Sequence, residues 1–392
     1  MTKFDYYIPT KILFGAGKVD ELATAKLPGK KALVVISAGT SMRKYGYLDK
    51  VTGLLAKQGV ESVVFDKILP NPVLDHVTEG AELARKEGCD FVVGLGGGSS
   101  IDSAKSIAVM AKNPGNYWDY INGGTGKGQF PKEGALPIVA ITTTAGTGTE
   151  ADPWTVITNG DEKIGSGWEF TFPVLSVVDP QLMTSVPPHL TAYQGFDTLF
   201  HCTEGYIANI ATPISDIFAL KAIELIAKYL PRAVKDGNDL EARTQVALAN
   251  TLGGMVESLS SCTSEHSLEH ALSAFYPKLP HGAGLIMLSL AYYQFFLDKG
   301  LGERYTQMAR AMGQEVNKLS DEEKPFAFIA ALKKLQKECN VEDLKLSDYG
   351  VKFEEIDALA KTAKETMGGL FGYDAYALTH EDTVAILKKA YR

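Results

Sequence analysis

The sequence predicts an α/β N-terminal domain on a doubly wound parallel sheet, followed by an all-α domain. Three observations predict it. In the first half, short apolar runs rich in β-branched residues alternate with helical stretches. After Pro187-Pro188 the apolar residues take helical spacing, and no strand-like alternation recurs. The length of 392 residues is also more than one small core usually organises. The expected division is residues 1–188 and residues 189–392.

Each element has its own reason. Residues 31–37, Lys-Ala-Leu-Val-Val-Ile-Ser, suit a strand buried on both faces of a parallel sheet. A helix is expected around 48–58, a strand at 62–66, a helix over 73–86, a strand at 91–95, a helix over 101–111 and a strand at 137–141. Residues 155–164 read as a hairpin turning at Asn159-Gly160. Residues 175–178 form the last strand, closed by Asp179-Pro180. Beyond it, Ile217, Leu220, Ile223 and Ile226, and then Phe328, Ile329, Leu332 and Leu335, mark the core faces of helices. His76 and His380 read as surface or capping residues. In such a β-α-β order, ligands lie outside the carboxyl ends of the strands.

Composition narrows the function. Apolar content of 45% and charged content of 22% are ordinary for a globular protein. A net charge of −8 without a basic run speaks against nucleic acid and anionic membranes. The four cysteines form no CxxC, which suits a reduced, cytoplasmic protein. The N-terminus lacks the apolar core of a signal peptide, and no apolar run reaches the ~18–20 residues of a membrane span.

Two stretches carry chemistry. The strand at 91–95 runs into Gly96-Gly97-Gly98-Ser99-Ser100 and then a helix. Glycines let backbone amides approach a diphosphate, and the helix start adds donors and a favourable dipole. The match to G-x-G-x-x-G is imperfect, because Ser99 takes the place of the third glycine; a tight connection is the plain alternative. Asp102 sits on the first turns of that helix, where it could also simply stabilise the positive end. The hydroxyl-rich run at 142–150 could line a nucleotide or merely cap a loop.

The second stretch runs from Gly195 to Gly282 and holds four of the seven histidines. Asp197 and His201 are four apart, as are His266 and His270, so each pair shares a helix face. His281 follows in Pro280-His281-Gly282. An aspartate with three histidines suits Fe(II) or Zn(II). The alternative is two helices with buried, hydrogen-bonded histidines and no metal. Cys202 and Cys262 lie near these helices, where a cysteine is more often a small hydrophobe.

Together, Gly96-Gly97-Gly98-Ser99-Ser100-Ile101-Asp102-Ser103-Ala104-Lys105, Thr143-Thr144-Ala145-Gly146-Thr147-Gly148-Thr149-Glu150, Gly195-Phe196-Asp197 with His201, and His266-x3-His270 with Pro280-His281-Gly282 resemble the iron-containing alcohol dehydrogenase family, most closely its butanol-dehydrogenase-like branch. Phe14-Gly15-Ala16-Gly17 also fits. The resemblance implies a metal in the cleft between a nucleotide-binding α/β domain and a helical domain. It implies Asp197, His201, His266 and His281 as ligands of Fe2+, with Zn2+ the alternative, and His270 beside the substrate. It implies Gly97, Gly98, Ser99 and Asp102 at the cofactor diphosphate, and Asn71, Thr143, Thr144, Thr147, Lys163 and Leu182 along the rest of the cofactor. The activity implied is hydride transfer between NAD(P)(H) and a primary alcohol or aldehyde, with His270 the candidate for proton traffic. The expected partners are that small molecule and a second copy of the chain in a homodimer, with neither nucleic acid nor membrane.

One departure concerns the cofactor. NAD-preferring members carry an acid at the end of the first strand. Here Ser37, Gly39 and Ser41 follow that strand, and no acid occurs between Lys31 and Asp49. Arg43 or Lys44 could reach a 2′-phosphate, so NADP(H) is favoured over NAD(H). The competing readings are a dehydroquinate-synthase-like lyase on the same architecture, a metal-dependent hydrolase, and an inactive nucleotide-binding protein.

Overall fold

A computed structural model describes residues 3–392. The chain divides into two compact units, Ile8–Ser185 and Val186–Arg392, with the described residues before Ile8 grouped with the second.

The first unit is built on six parallel strands: β1 (Lys11–Phe14), β2 (Lys31–Ser37), β3 (Glu61–Ile68), β4 (Phe91–Gly96), β5 (Ile138–Thr142) and β8 (Leu175–Val178). Their spatial order is β1-β8-β5-β4-β2-β3. A separate antiparallel hairpin pairs β6 (Trp154–Asn159) with β7 (Glu162–Gly167) around Gly160-Asp161. Helices α1 (Ser41–Lys44), α2 (Tyr47–Lys57), α3 (Leu74–Glu87) and α4 (Gly98–Lys112) connect the early strands. Every residue of β4 and β5 is buried, as expected of central parallel strands. The expected strands and helices are all present, with ends shifted by no more than three residues. β1 is an addition: four residues that extend the sheet beside β8.

This order fixes where a ligand can bind. From β2 the chain builds outward to β3, then returns to place β4 on the other side of β2. The order therefore reverses between β2 and β4, and their carboxyl ends border the crevice. The turn after β4 needs glycine, since Gly96 has φ 147°. Behind it, Lys105 of α4 is wholly buried. Its Nζ donates to Thr149 Oγ1 at 2.7 Å, Asp152 O at 2.9 Å, Asp152 Oδ1 at 3.0 Å and Trp154 O at 2.7 Å. A fully desolvated ammonium survives only with such a complete set of acceptors. It ties the helix after the glycine turn to the start of β6.

The second unit is helical: α5 (Pro188–Ile207), α6 (Pro213–Lys235), α7 (Leu240–Ser260), α8 (Ser264–Phe275), α9 (His281–Asp298), α10 (Glu303–Ala311), α11 (Ala327–Glu338), α12 (Ile356–Phe371) and α13 (His380–Ala390). Pro188 stands at the first turn of α5, where its missing N–H costs nothing. Helix α5 packs on α6, α7 and α9, while α8 packs on α9 and α12. Gly282 makes one of these contacts possible: a Cβ there would lie 2.1 Å from Tyr193 O. The first turn of α9 thus presses on the backbone of α5, which brings His281 toward Asp197. His380 opens α13 and faces Asp357 at 2.9 Å, while Thr379 provides the cap. No helix among the described residues is long and apolar enough to cross a membrane.

Candidate active site

Three helices of the second unit supply one cluster. Asp197 and His201 come from α5, His266 and His270 from α8, and His281 opens α9. The Nε2 atoms of His201, His266 and His281 lie 3.5, 3.6 and 3.3 Å from Asp197 Oδ1. The His201 and His266 rings stack with centroids 4.6 Å apart. Asp197, His201, His266 and His270 are all buried, and the His281 side chain is 22% exposed.

Behind these donors stands a layer of carboxylates. Glu204, seven residues after Asp197, meets His266 Nδ1 through Oε1, and its Oε2 accepts from Thr263 N at 2.8 Å and Thr263 Oγ1 at 2.9 Å. Glu269 meets His281 Nδ1. Glu257 differs in facing the donor nitrogen itself, 3.5 Å from His201 Nε2. The Nδ1 bonds of His266 and His281 hold those rings so that Nε2 faces Asp197.

Electrostatics point the same way. Burial works to raise the Asp197 carboxyl, but the imidazoles of His201 and His281, with His266, hold it well below the usual range. Burial opposes charge on His266, yet Cys262, Glu204 and Asp197 raise its proton affinity well above the ordinary value. Burial, with the neighbouring Glu204, pushes the Glu265 carboxyl well above its ordinary range.

The donors fit a dication. Asp197 Oδ1 and His266 Nε2 are buried without a hydrogen-bond partner, a cost that folded proteins rarely leave unexplained. Ligands about 2.1 Å from a tetrahedral metal are separated by about 3.4 Å, which matches the spacing around Asp197 Oδ1. His270 stands beside this set. Its ring is 5.3 Å from that of His281 and 6.3 Å from that of His266, and Nδ1 lies 2.8 Å from Met367 Sδ. Met367 has non-helical φ −126° and ψ 37°, a kink that turns α12 here.

Residues 9–180 match the family described as iron-containing alcohol dehydrogenase, and residues 191–391 match its C-terminal family, Fe-containing alcohol dehydrogenase. The chain belongs to the iron-containing alcohol dehydrogenase family. It is 38% identical to alcohol dehydrogenase 4 of Schizosaccharomyces pombe over 98% of this chain and 88% of that one. It is 32% identical to the probable NADH-dependent butanol dehydrogenase 2 of Bacillus subtilis over 99% of both. Its fold superposes on the crystal structure of an archaeal halo-thermophilic alcohol dehydrogenase from a Red Sea brine pool with a TM-score of 0.93. That structure is 33% identical, and the match covers 100% of this chain and 99% of the other.

For an iron-containing alcohol dehydrogenase, the sheet unit holds the other half of the expected residues. Gly97 and Gly98 close on Thr144 and Thr147: a Cβ on Gly97 would lie 3.0 Å from Thr144 Oγ1, and one on Gly98 2.4 Å from Thr147 Cγ2. Thr143 N–H donates to Gly96 O at 2.9 Å, which brings the two loops together. No side chain caps α4, and Ser99 stays half-buried at its first turn. The segment after Asn71 runs beside the hairpin that carries Lys163, because Val73 bridges Thr158 and Thr158 pairs with Lys163.

Two further expected residues, Asp102 and Leu182, are buried. The Asp102 carboxylate accepts from Thr149 Oγ1 at 2.8 Å and Val156 N at 3.0 Å, and burial, opposed by Lys105, pushes it up to about 6. These bonds tie it to the start of the hairpin. Leu182 belongs to the core cluster under the sheet. Ser37 and Gly39 line a cavity of about 450 Å³ at the end of β2, together with Arg43, Lys44 and Asp66. Ser41 opens α1 beside it.

The residues that sequence reasoning missed are acids. Glu204 lies at i+7 from Asp197 and i+3 from His201, on the same helical face. Extending that face by one turn would have found it. Asp66 was missed because it lies on β3, while the search for an acid was confined to the end of β2.

Proposed function

We propose that the chain is a metal-dependent alcohol dehydrogenase or aldehyde reductase acting on a primary alcohol or aldehyde, with NADP(H) preferred over NAD(H). Asp197, His201, His266 and His281 are the proposed metal ligands, for Fe2+ first and Zn2+ as the alternative. The observation that carries the reading is the convergence of three imidazole Nε2 atoms on one buried carboxylate oxygen. When bound, such a dication supplies Lewis acidity toward the alcohol or carbonyl oxygen. When bound, the dinucleotide gives or takes the hydride. Glu204 and Glu269 keep the two rings in register with Asp197. Gly97, Gly98 and Ser99 offer backbone donors for a diphosphate. His270 is the group proposed to carry the proton to or from the substrate oxygen.

The test is aldehyde-dependent oxidation of NADPH and NADH by protein of measured metal content. Metal-free protein turning over at the full rate would defeat the reading. Glu204→Gln and Glu269→Gln are each expected to weaken metal binding by about 10–100-fold, read by titrating apoprotein with Fe2+ or Zn2+. Unchanged affinity would reduce these carboxylates to packing.

The cofactor preference stands on this chain's own strand end, since the Bacillus subtilis relative is named for NADH. Without an acid on β2, the repulsion of a 2′-phosphate is weakened, and a charge-assisted contact from Arg43 or Lys44 adds roughly 1.5–3 kcal/mol, or ten- to a hundredfold. Gly39→Asp is expected to reverse the order of kcat/KM for the two cofactors. The backbone accommodates it, because a Cβ there meets only Ser37 Oγ at 3.7 Å. A wild type preferring NADH about tenfold would overturn the preference.

A further inference from the structure

The cavity at the end of β2 has an acid after all. Its walls are residues 37–40, Arg43, Lys44 and Asp66. Asp66 comes from β3, the neighbour of β2 in the sheet. The two strands are in register as far as Val35 with Phe65, and then Ser37 pairs with Ile68. Asp66 and Lys67 therefore stand opposite the single residue Ile36. Such a bulge bends the strand and re-aims its side chains, and bulges recur beside binding sites. Here Asp66 Oδ2 receives a hydrogen bond from the Arg43 guanidinium at 2.6 Å. The pair is solvent-accessible, at 56% exposure for Arg43 and 50% for Asp66. Lys44 has no acid within 4.0 Å among the described residues; its Nζ lies over the Tyr45 ring at 5.3 Å.

We propose that Asp66 is a cofactor-discriminating residue that acts from the neighbouring strand and opposes the 2′-phosphate of NADP(H). This rests on the reading that the cavity receives the adenosine ribose. With NAD(H), Arg43 keeps its carboxylate partner. With NADP(H), the phosphate must share Arg43 with Asp66 and meets a like charge within the same cavity. Lys44 is then the cation that the phosphate gains without competition. The NADPH preference of the wild type is therefore partial, because one of its two cations is already engaged.

The experiment compares wild type, Asp66→Asn, Arg43→Ala and the double variant. It reads kcat/KM for NADPH and NADH on one aldehyde, and cofactor dissociation constants without substrate from quenching of protein fluorescence. Asp66→Asn is expected to raise the NADPH-to-NADH ratio about tenfold, with a matching drop in the NADPH dissociation constant and NADH changed by no more than about threefold. In the Arg43→Ala background the same change should bring a smaller gain, since the like charge is removed but no guanidinium is released. A ratio unmoved or shifted toward NADH overturns the proposal, as does an equal loss of both cofactors, which would make Asp66 structural. An equal gain with and without Arg43 also overturns the release argument. The wild-type preference itself tests the earlier reading, so the two can fail separately: a wild type that favours NADH but responds as above loses the preference and keeps the role of Asp66.

Discussion

His281→Ala is expected to give a folded protein that holds almost no metal and turns over about three orders of magnitude more slowly. The rate follows from losing a Lewis acid worth several kcal/mol of transition-state stabilisation, at about 1.4 kcal/mol per tenfold. Folding should survive because the side chain is 22% exposed and stands at the first position of α9. His266→Ala should strip the site as completely. Each change takes the imidazole from a buried carboxylate, Glu269 for His281 and Glu204 for His266, a penalty of about 1–3 kcal/mol, although Glu204 Oε2 keeps its bonds to Thr263. Elemental analysis of each purified variant, beside its melting curve and turnover, decides the matter. Full metal occupancy at the wild-type rate would remove that histidine from the ligand set.

His270→Ala is expected to keep the metal and lose about 10²–10⁴ in kcat. The His270 ring stands beside those of His266 and His281, yet it lies off Asp197, the oxygen on which the other three imidazoles converge. Its Nδ1 faces the thioether of Met367, a weak acceptor that positions the ring without the hold Glu204 has on His266. Metal content separates the roles: a variant that loses metal together with rate makes His270 a ligand or a support. A variant at the wild-type rate makes it packing. His270→Gln, which keeps a hydrogen-bonding group of similar reach, should restore little if proton transfer is the function and much if orientation is.

The strands that are apolar throughout, such as β4 with Phe91, Val92 and Val93, were legible because burial on both faces leaves a continuous run. Asp197, His201, His266 and His270 were legible because i,i+4 spacing on a helix is already geometry. β1 was not: Lys11-Ile12-Leu13-Phe14 is short and only partly buried, and the strand exists because β8 offers a free ladder. The burial of Glu204 and Glu269 showed in no local pattern, since it depends on partners elsewhere in the chain. Glu204 finds His266 across 62 positions. Lys105 hid for the same reason, its acceptors being 44 to 49 residues away. Asp66 needed the strand order, which places β3 beside β2 and is written in no local pattern.

The position of β3 has a further consequence. It is the last strand of its sheet, so one row of its backbone donors and acceptors has no ladder among the described residues. An open edge of this kind templates the strand of another molecule and seeds aggregation unless it is blunted. β3 carries exposed Glu61, Asp66 and Lys67, and its bulge twists the end of the edge away from a flat partner. Asp66 and Lys67 are further occupied by Arg43 and Glu79. The carboxylate beside the cavity at the end of β2 therefore also helps to blunt an edge that another strand could otherwise extend.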